Sequence, residues 1–208
     1  MARYIEAACR VCRRNGVKLF LKGDRCSTPK CGVERRNNPP GQTSTRRRKQ
    51  SDRGLQLREK QKGRYYYGLM ERPFRKAFTE AGRMPGKTGE TLVQLLECRM
   101  DNIVMLMGFA DSHAQARQLV RHGHLALNDK KVNIPSLQLK AGDSVSWREG
   151  KKKSELFKLV TERVKSKSVP SWISLDQDKM TGKILSMPAR TDVESRFDEN
   201  AVVAYYSR

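Results

Sequence analysis

Four of the chain's five cysteines fall in one short stretch, as Cys9-x-x-Cys12, thirteen intervening residues, and Cys26-x4-Cys31. Two close pairs joined by a short loop fit a metal site, two disulfides or accident. The opening "MARYIEAACRVCRR" lacks the apolar run of a secretory signal. A reducing cytoplasm, where disulfides are rare, is therefore expected, and one structural tetrathiolate Zn(II) site is the favoured reading for Cys9, Cys12, Cys26 and Cys31. An iron–sulfur cluster is the alternative, since it also accepts four thiolates. Val17, Leu19, Phe20 and Leu21 offer too little burial to order the arm alone, so ligation must supply the missing free energy. Four cysteines leave no position open to water, so the expected role is structural. Arg10, Arg13, Arg14, Lys30, Arg35 and Arg36 lie close in sequence, where they favour thiolate forms and can face phosphates.

The charge of the whole chain points the same way. Among 208 residues, 43 Lys and Arg against 22 Asp and Glu leave a net +21, which suits a polyanionic partner. No stretch approaches the roughly 20 apolar residues that span a bilayer, so nucleic acid is preferred to a membrane. The excess is uneven, with nineteen basic and five acidic residues in positions 1–64. Its densest part, "NNPPGQTSTRRRKQSDRG", carries Arg46, Arg47, Arg48 and Lys49 with almost no apolar side chain. Such a segment builds no core; it reads as an extended connector that orders on RNA, or as a solvated linker.

The elements that position these groups show in the periodicity. Phe74, Ala77, Phe78 and Ala81 follow helical spacing, with Pro73 in the first turn and Gly82 at the end. Leu92, Leu95, Leu96, Met100, Ile103, Val104 and Met107 continue that period as a second helical run, with Cys98 an inert buried thiol inside it. Tyr65, Tyr66 and Tyr67 suit core packing or base stacking. Ser112 and Gln115 form a capping-box signature, and Gly123 stops the helix that follows. Alternation then marks short strands at Leu125 and Leu127, at Val132 and Ile134, and at Val145 and Trp147, with turns at 128–131 and 141–143. A helical hairpin followed by a small antiparallel sheet would place Arg117, Arg121, His122, His124, Lys130 and Lys131 toward one RNA-facing surface. At the C-terminus, Val202, Val203, Tyr205 and Tyr206 are expected to dock on the helices. The acidic Asp192, Glu194, Asp198 and Glu199 beside them suit a protein contact.

Catalysis is not expected. The three histidines, His113, His122 and His124, pair with no Cys or Ser in a nucleophile motif; they read as one helix-surface residue and two turn or RNA contacts. "GKTGET" follows no predicted strand and lacks Walker spacing. A zinc-bearing DNA regulator would commit a helix to the major groove or show a heptad seam, and neither sign is present.

"ARQLVRHGHLALNDKKVNIPSLQLKAGD" resembles the RNA-binding module named after ribosomal protein S-four. With "KLFLKGDRC", "PPGQ", "GLQLREKQK", "TGETLVQLLECRMDNIVMLMGFA" and "VVAYYSR", the chain resembles the bacterial small-subunit S-four family over nearly its full length, in the form whose N-terminal extension carries a zinc knuckle. The resemblance implies an α+β chain. Its parts would be a zinc-binding extension and basic linker at 1–45, an all-helical subdomain at 46–98 completed by 191–208, and an RNA-binding domain at 99–190 with the module at about 99–160. It gives Arg117, Gln118, Arg121, His122, His124, Asn128 and Lys130 an RNA-facing role. It further implies early binding of small-subunit rRNA at a multi-helix junction and a place beside proteins S-three and S-five near the mRNA entry pore. An influence on decoding accuracy, a cytoplasmic location in the small subunit and no small-molecule substrate follow from the same likeness. Pseudouridine synthases and RNA chaperones also carry such modules, but only sixty-one residues follow Trp147, too few for a synthase catalytic domain.

Overall fold

The computed structural model describes residues 4–42 and 49–207; Arg46, Arg47 and Arg48 lie outside them. The helices are α1 (Ala8–Asn15), α2 (Gly32–Arg35), α3 (Asp52–Tyr66), α4 (Glu71–Ala81), α5 (Thr88–Glu97), α6 (Met100–Leu106), α7 (His113–Arg121), α8 (Glu155–Ser166) and α9 (Glu199–Tyr206). The strands are β1 (Leu125–Leu127), β2 (Lys130–Lys131), β3 (Ser144–Trp147), β4 (Ile173–Asp176) and β5 (Thr181–Ile184). The chain divides into two compact units, one running to Val93 and resuming at Ser195, the other Gln94–Glu194. None of the described helices is long and apolar enough to cross a membrane.

The first unit is helical. In α4, Phe74 and Ala81 are fully buried, as their spacing predicts. The C-terminal α9 is held by Asp198, whose carboxylate accepts from the amides of Asn200 and Ala201. Val202 is buried, the Tyr206 ring lies 4.6 Å from that of Phe78, and the Tyr206 hydroxyl donates to Glu71 Oε1 at 2.8 Å. Glu71 also receives Lys60, a lysine only 4% exposed whose Nζ stands 2.8 Å from the carboxylate and 5.0 Å from the Tyr205 ring centre. The terminal apolar residues therefore dock on α3 and α4 through a buried cation that carboxylate and aromatic faces jointly compensate. Helix α1 ends at Gly16 in left-handed backbone (φ 67), where a Cβ would come within 3.1 Å of Arg58 Nη2. That guanidinium donates to the Asn15 carbonyl, and Tyr4 meets Tyr65 edge-on at 5.3 Å, so α1 is joined to α3.

The second unit packs α6, α7 and α8 against a five-stranded antiparallel sheet of order β2-β1-β3-β5-β4. Met100, Ile103, Val104, Met107, Leu125, Val145, Val160 and Ile184 are fully buried in its core. The loop between β1 and β2 has two residues, Asn128 and Asp129, both with positive φ (47 and 64), as the favoured hairpin turn requires.

Two expectations are corrected here. The apolar run from Leu92 to Met107 is two helices, because the backbone extends at Arg99 (φ −71, ψ 140). There the amides of Met100 and Asp101 bond sideways to the carbonyls of Leu137 and Pro135 rather than along a helix. The strand expected at Val132 and Ile134 is confined to Lys130–Lys131, since Pro135 has no amide to donate and restricts the residue before it. Helix α8 and strands β4 and β5 follow Trp147, the last strand position that alternation marks.

Candidate nucleic-acid interface and thiol cluster

On the second unit, Ser112 Oγ accepts from the Gln115 amide at 3.4 Å and starts α7. The Gln115 side chain reaches back to the Asp111 amide at 2.8 Å, one residue before the cap. At the other end of α7, Gln118, Arg121 and His122 are exposed. The next residues turn at Gly123 into β1, which puts His124 between the His122 ring (6.2 Å) and the Trp147 ring (5.7 Å). Lys130 and Lys131 are exposed on β2, and Arg148 Nη1 donates to the Gly123 carbonyl at 3.0 Å. Lys131 and Arg148 both come within 4 Å of the position a Gly123 Cβ would occupy. Burial, then the charges of Lys151 and His122, lowers the His124 pKa, which marks this as a locally cationic surface.

Arg148 and Lys151 were missed in the sequence; the only signal was a basic run directly after the strand ending at Trp147. Asn128 is exposed, but its side chain organises the hairpin, donating to Asp143 Oδ1 and accepting from the Ser144 amide, both at 2.9 Å.

Arg117 stands inside the unit. It is 8% exposed, and its Nη1 lies 3.3 Å from Asp101 Oδ2. The same carboxylate takes Nε and Nη2 of Arg99 at 3.0 and 2.8 Å. His113, read from sequence as a helix-surface residue, is buried as well. Asn102 donates to Glu97, so its Oδ1 is left to accept, and His113 Nε2–H donates to it at 2.9 Å. Burial, and then the Arg99 charge, pushes the His113 pKa down to about 3. Its folded pKa lies below the unfolded value near 6.5, so the unfolded chain binds the extra proton between them. Stability is expected to be fully present above about pH 6.5 and to fall as pH drops, by up to about 1.4 kcal/mol per unit. Urea unfolding between pH 6.5 and 5 should show a steeper loss for the natural chain than for His113→Gln.

In the first unit, Cys9, Cys12, Cys26 and Cys31 line one cavity of about 10 Å³, room for a single small ion or water. Cys12, Cys26 and Cys31 are buried, and Gly32 brings α2 so close that a Cβ there would stand 2.9 Å from Cys9 Cβ. Burial first, and then the other three thiols, raises the Cys12 pKa. As placed, no three His, Cys, Asp or Glu side chains among the described residues form a metal-holding group. The sulfurs therefore share a cavity without standing at ligating geometry. Arg13 Nε donates to the Asn38 carbonyl at 2.8 Å and Arg14 Nη2 to that of Pro40 at 3.3 Å, so both hold the chain that leads into the basic connector. Arg35, Arg36 and Lys49 are exposed.

The described residues thus combine a helical unit bearing a thiol-lined arm with a helical-hairpin-and-sheet unit bearing a cationic rim. Residues 3–97 match the model described as "Ribosomal protein S4/S9 N-terminal domain", and residues 98–145 match the S4 domain. The chain is similar over its whole length, and theirs, to small ribosomal subunit protein uS4 of Heliobacterium modesticaldum (49% identical) and of Trichlorobacter lovleyi (50%). It is likewise similar to protein uS4A of Alkaliphilus oremlandii (49%). The chain belongs to the bacterial uS4 family of ribosomal proteins.

Proposed function

We propose that the chain is a structural, non-catalytic constituent of the cytoplasmic small ribosomal subunit that binds its rRNA and organises a junction of several RNA helices during assembly. The observation that carries this reading is the pair of cations beside Gly123 on the S4-domain unit, the exposed Lys131 and the half-buried Arg148, with the charge of Lys151 reaching the neighbouring His124. Helices meeting at a junction repel through their phosphates. Cations inserted there release condensed counterions and remove the repulsion, and a surface of this shape reads folded RNA by form rather than by base sequence. Family resemblance supports a location near the mRNA entry site beside proteins S-five and S-three, with a contribution to decoding accuracy.

The arm is the zinc-knuckle form in this reading, with Cys9, Cys12, Cys26 and Cys31 as ligands. What supports it is the donor set, four thiols lining a void with room for one small ion. The ion supplies cross-linking free energy to an arm whose own core is Val11, Cys12 and Leu19.

The test is a salt titration of binding to in vitro transcribed small-subunit rRNA and to tRNA. The rRNA should bind more tightly, with log affinity falling against log salt at a slope of about −0.7 to −0.9 per phosphate neutralised. Lys131→Ala should reduce that slope by about 1. Equal affinity for tRNA, or a flat salt response, overturns the reading.

A further inference from the structure

The chain between the two cysteine pairs does more than join them. The Leu19 amide donates to the Cys12 sulfur, and Leu19 itself is almost wholly buried. Phe20 follows in left-handed backbone (φ 51), a region that bulky side chains rarely enter unless their surroundings hold them there. Two contacts do so. Phe20 forms part of the wall of the thiol cavity, together with Val33 and the cations Lys18, Lys22 and Arg25. The Arg196 guanidinium stands 5.1 Å from the Phe20 ring centre. Arg196 is itself held by the residues that follow it. Phe197 is buried against α3 so closely that a Cβ on Gly63 would stand 3.2 Å from its ring, and the Asp198 amide donates to Glu59 Oε2 of the same helix at 3.1 Å. The Phe20 ring gains little by burial, being 36% exposed, so packing alone does not account for the strained turn. What the ring does is separate sulfur from water: Cys12, Cys26 and Cys31 are buried in a void only about 10 Å³ in volume.

We propose that Phe20 is the lid of the thiol cavity and that Arg196, reaching it from the C-terminal segment, holds the lid closed, so that access to the four sulfurs is set from the other end of the chain. The proposal deepens the zinc-knuckle reading, since an ion on those sulfurs leaves only as fast as the lid admits water or a competing ligand. Lys18, Lys22 and Arg25 favour thiolates but bring water with them, so exclusion falls to the ring. Arg196 is a positioning residue in this scheme, acting through the ring rather than on the sulfurs.

The test times alkylation of each cysteine by neutral iodoacetamide, read by mass spectrometry on the full chain as purified, without chelator. Phe20→Ala should speed the reaction of Cys9, Cys12, Cys26 and Cys31 about tenfold. Phe20→Gly should do the same, although it relieves the left-handed backbone, and Phe20→Tyr should keep the natural rate. Arg196→Ala should speed the reaction about threefold, the scale of an exposed cation–aromatic contact, and Arg196→Lys should restore it. In the Phe20→Ala background Arg196→Ala should add nothing, because the clamp then has no ring to hold. Cys98, in the other unit, should react as before in every variant. Zinc analysis of the same samples, with release into a chromogenic chelator, follows the ion separately, and release should quicken in the same order as alkylation. Unchanged alkylation in Phe20→Ala overturns the lid, whether or not the chain carries zinc. An undiminished effect of Arg196→Ala in the absence of the ring overturns the clamp. A chain that holds no zinc but shows the alkylation pattern refutes the zinc-knuckle reading and leaves the lid standing.

Discussion

Asp101→Ala should destabilise the Gln94–Glu194 unit by about 3–5 kcal/mol, the usual cost of stripping a buried ion pair of one partner. Asp101 is 2% exposed and bridges two guanidiniums that are themselves nearly excluded from water, at 6% for Arg99 and 8% for Arg117. Removing the carboxylate strips the desolvated Arg99 of the anion it chelates and takes a partner from Arg117, and it opens a void at the start of α6. The effect should reach beyond the pair, because Arg99 also stands at the backbone break that separates α5 from α6. Both tryptophans, Trp147 and Trp172, are buried in the core of this unit, so their fluorescence during urea unfolding reports the change selectively. Replacing the three charged residues together with apolar ones of similar volume should recover much of the loss, since such triads often contribute little net stability. A loss below about 1 kcal/mol for Asp101→Ala would mean that water reaches the guanidiniums and the site is not the closed network described.

On the zinc-knuckle reading proposed above, metal removal should have the second large effect, confined to the first unit. Structural zinc in small thiolate sites contributes an apparent 10–16 kcal/mol or so, far more than the three-residue core of the arm can supply. Treating the full chain with a chelator should expose the segment from Tyr4 to Gln42 to protease while the tryptophan-reported transition stays where it was. Four thiols should then react with an alkylating probe. Cys98 should stay inert, since burial, aided by Glu97, pushes its pKa up to about 12 and shields the sulfur. Cys12→Ser with metal present should reproduce the protease result. An arm that stays protected after chelation would show that Arg58, Tyr65 and the basic side chains of α1 hold it without an ion.

Periodicity made some of this legible and hid the rest for identifiable reasons. Helix α4 could be read because Phe74, Phe78 and Ala81 recur on one face between a tolerated Pro73 and a terminating Gly82, all of them local signals. The break at Arg99 could not, because apolar spacing continues across it, and its cause is a lateral backbone bond to Leu137 some forty residues on. His113 looked like a surface residue for a similar reason: its burial depends on Asn102, which belongs to a different helix. Arg117 carried the charge expected of an RNA contact, and nothing local announces that Asp101 draws it inward. The grouping of the four cysteines was legible from spacing alone, whereas the joining of α1 to α3 through Arg58 and the Tyr4–Tyr65 pair is revealed only by the folded chain.

The discontinuity of the first unit has a consequence for biosynthesis. A chain made from its N-terminus presents residues up to Val93 well before Ser195 and α9 exist, so Lys60 and Glu71 await Tyr206, and Phe78 awaits its aromatic neighbour, until that later segment is made. The uninterrupted Gln94–Glu194 segment faces no such delay and can close as it emerges. A nascent polypeptide stalled before Ser195 would thus carry a finished sheet and an open helical unit, a ready substrate for quality-control proteases.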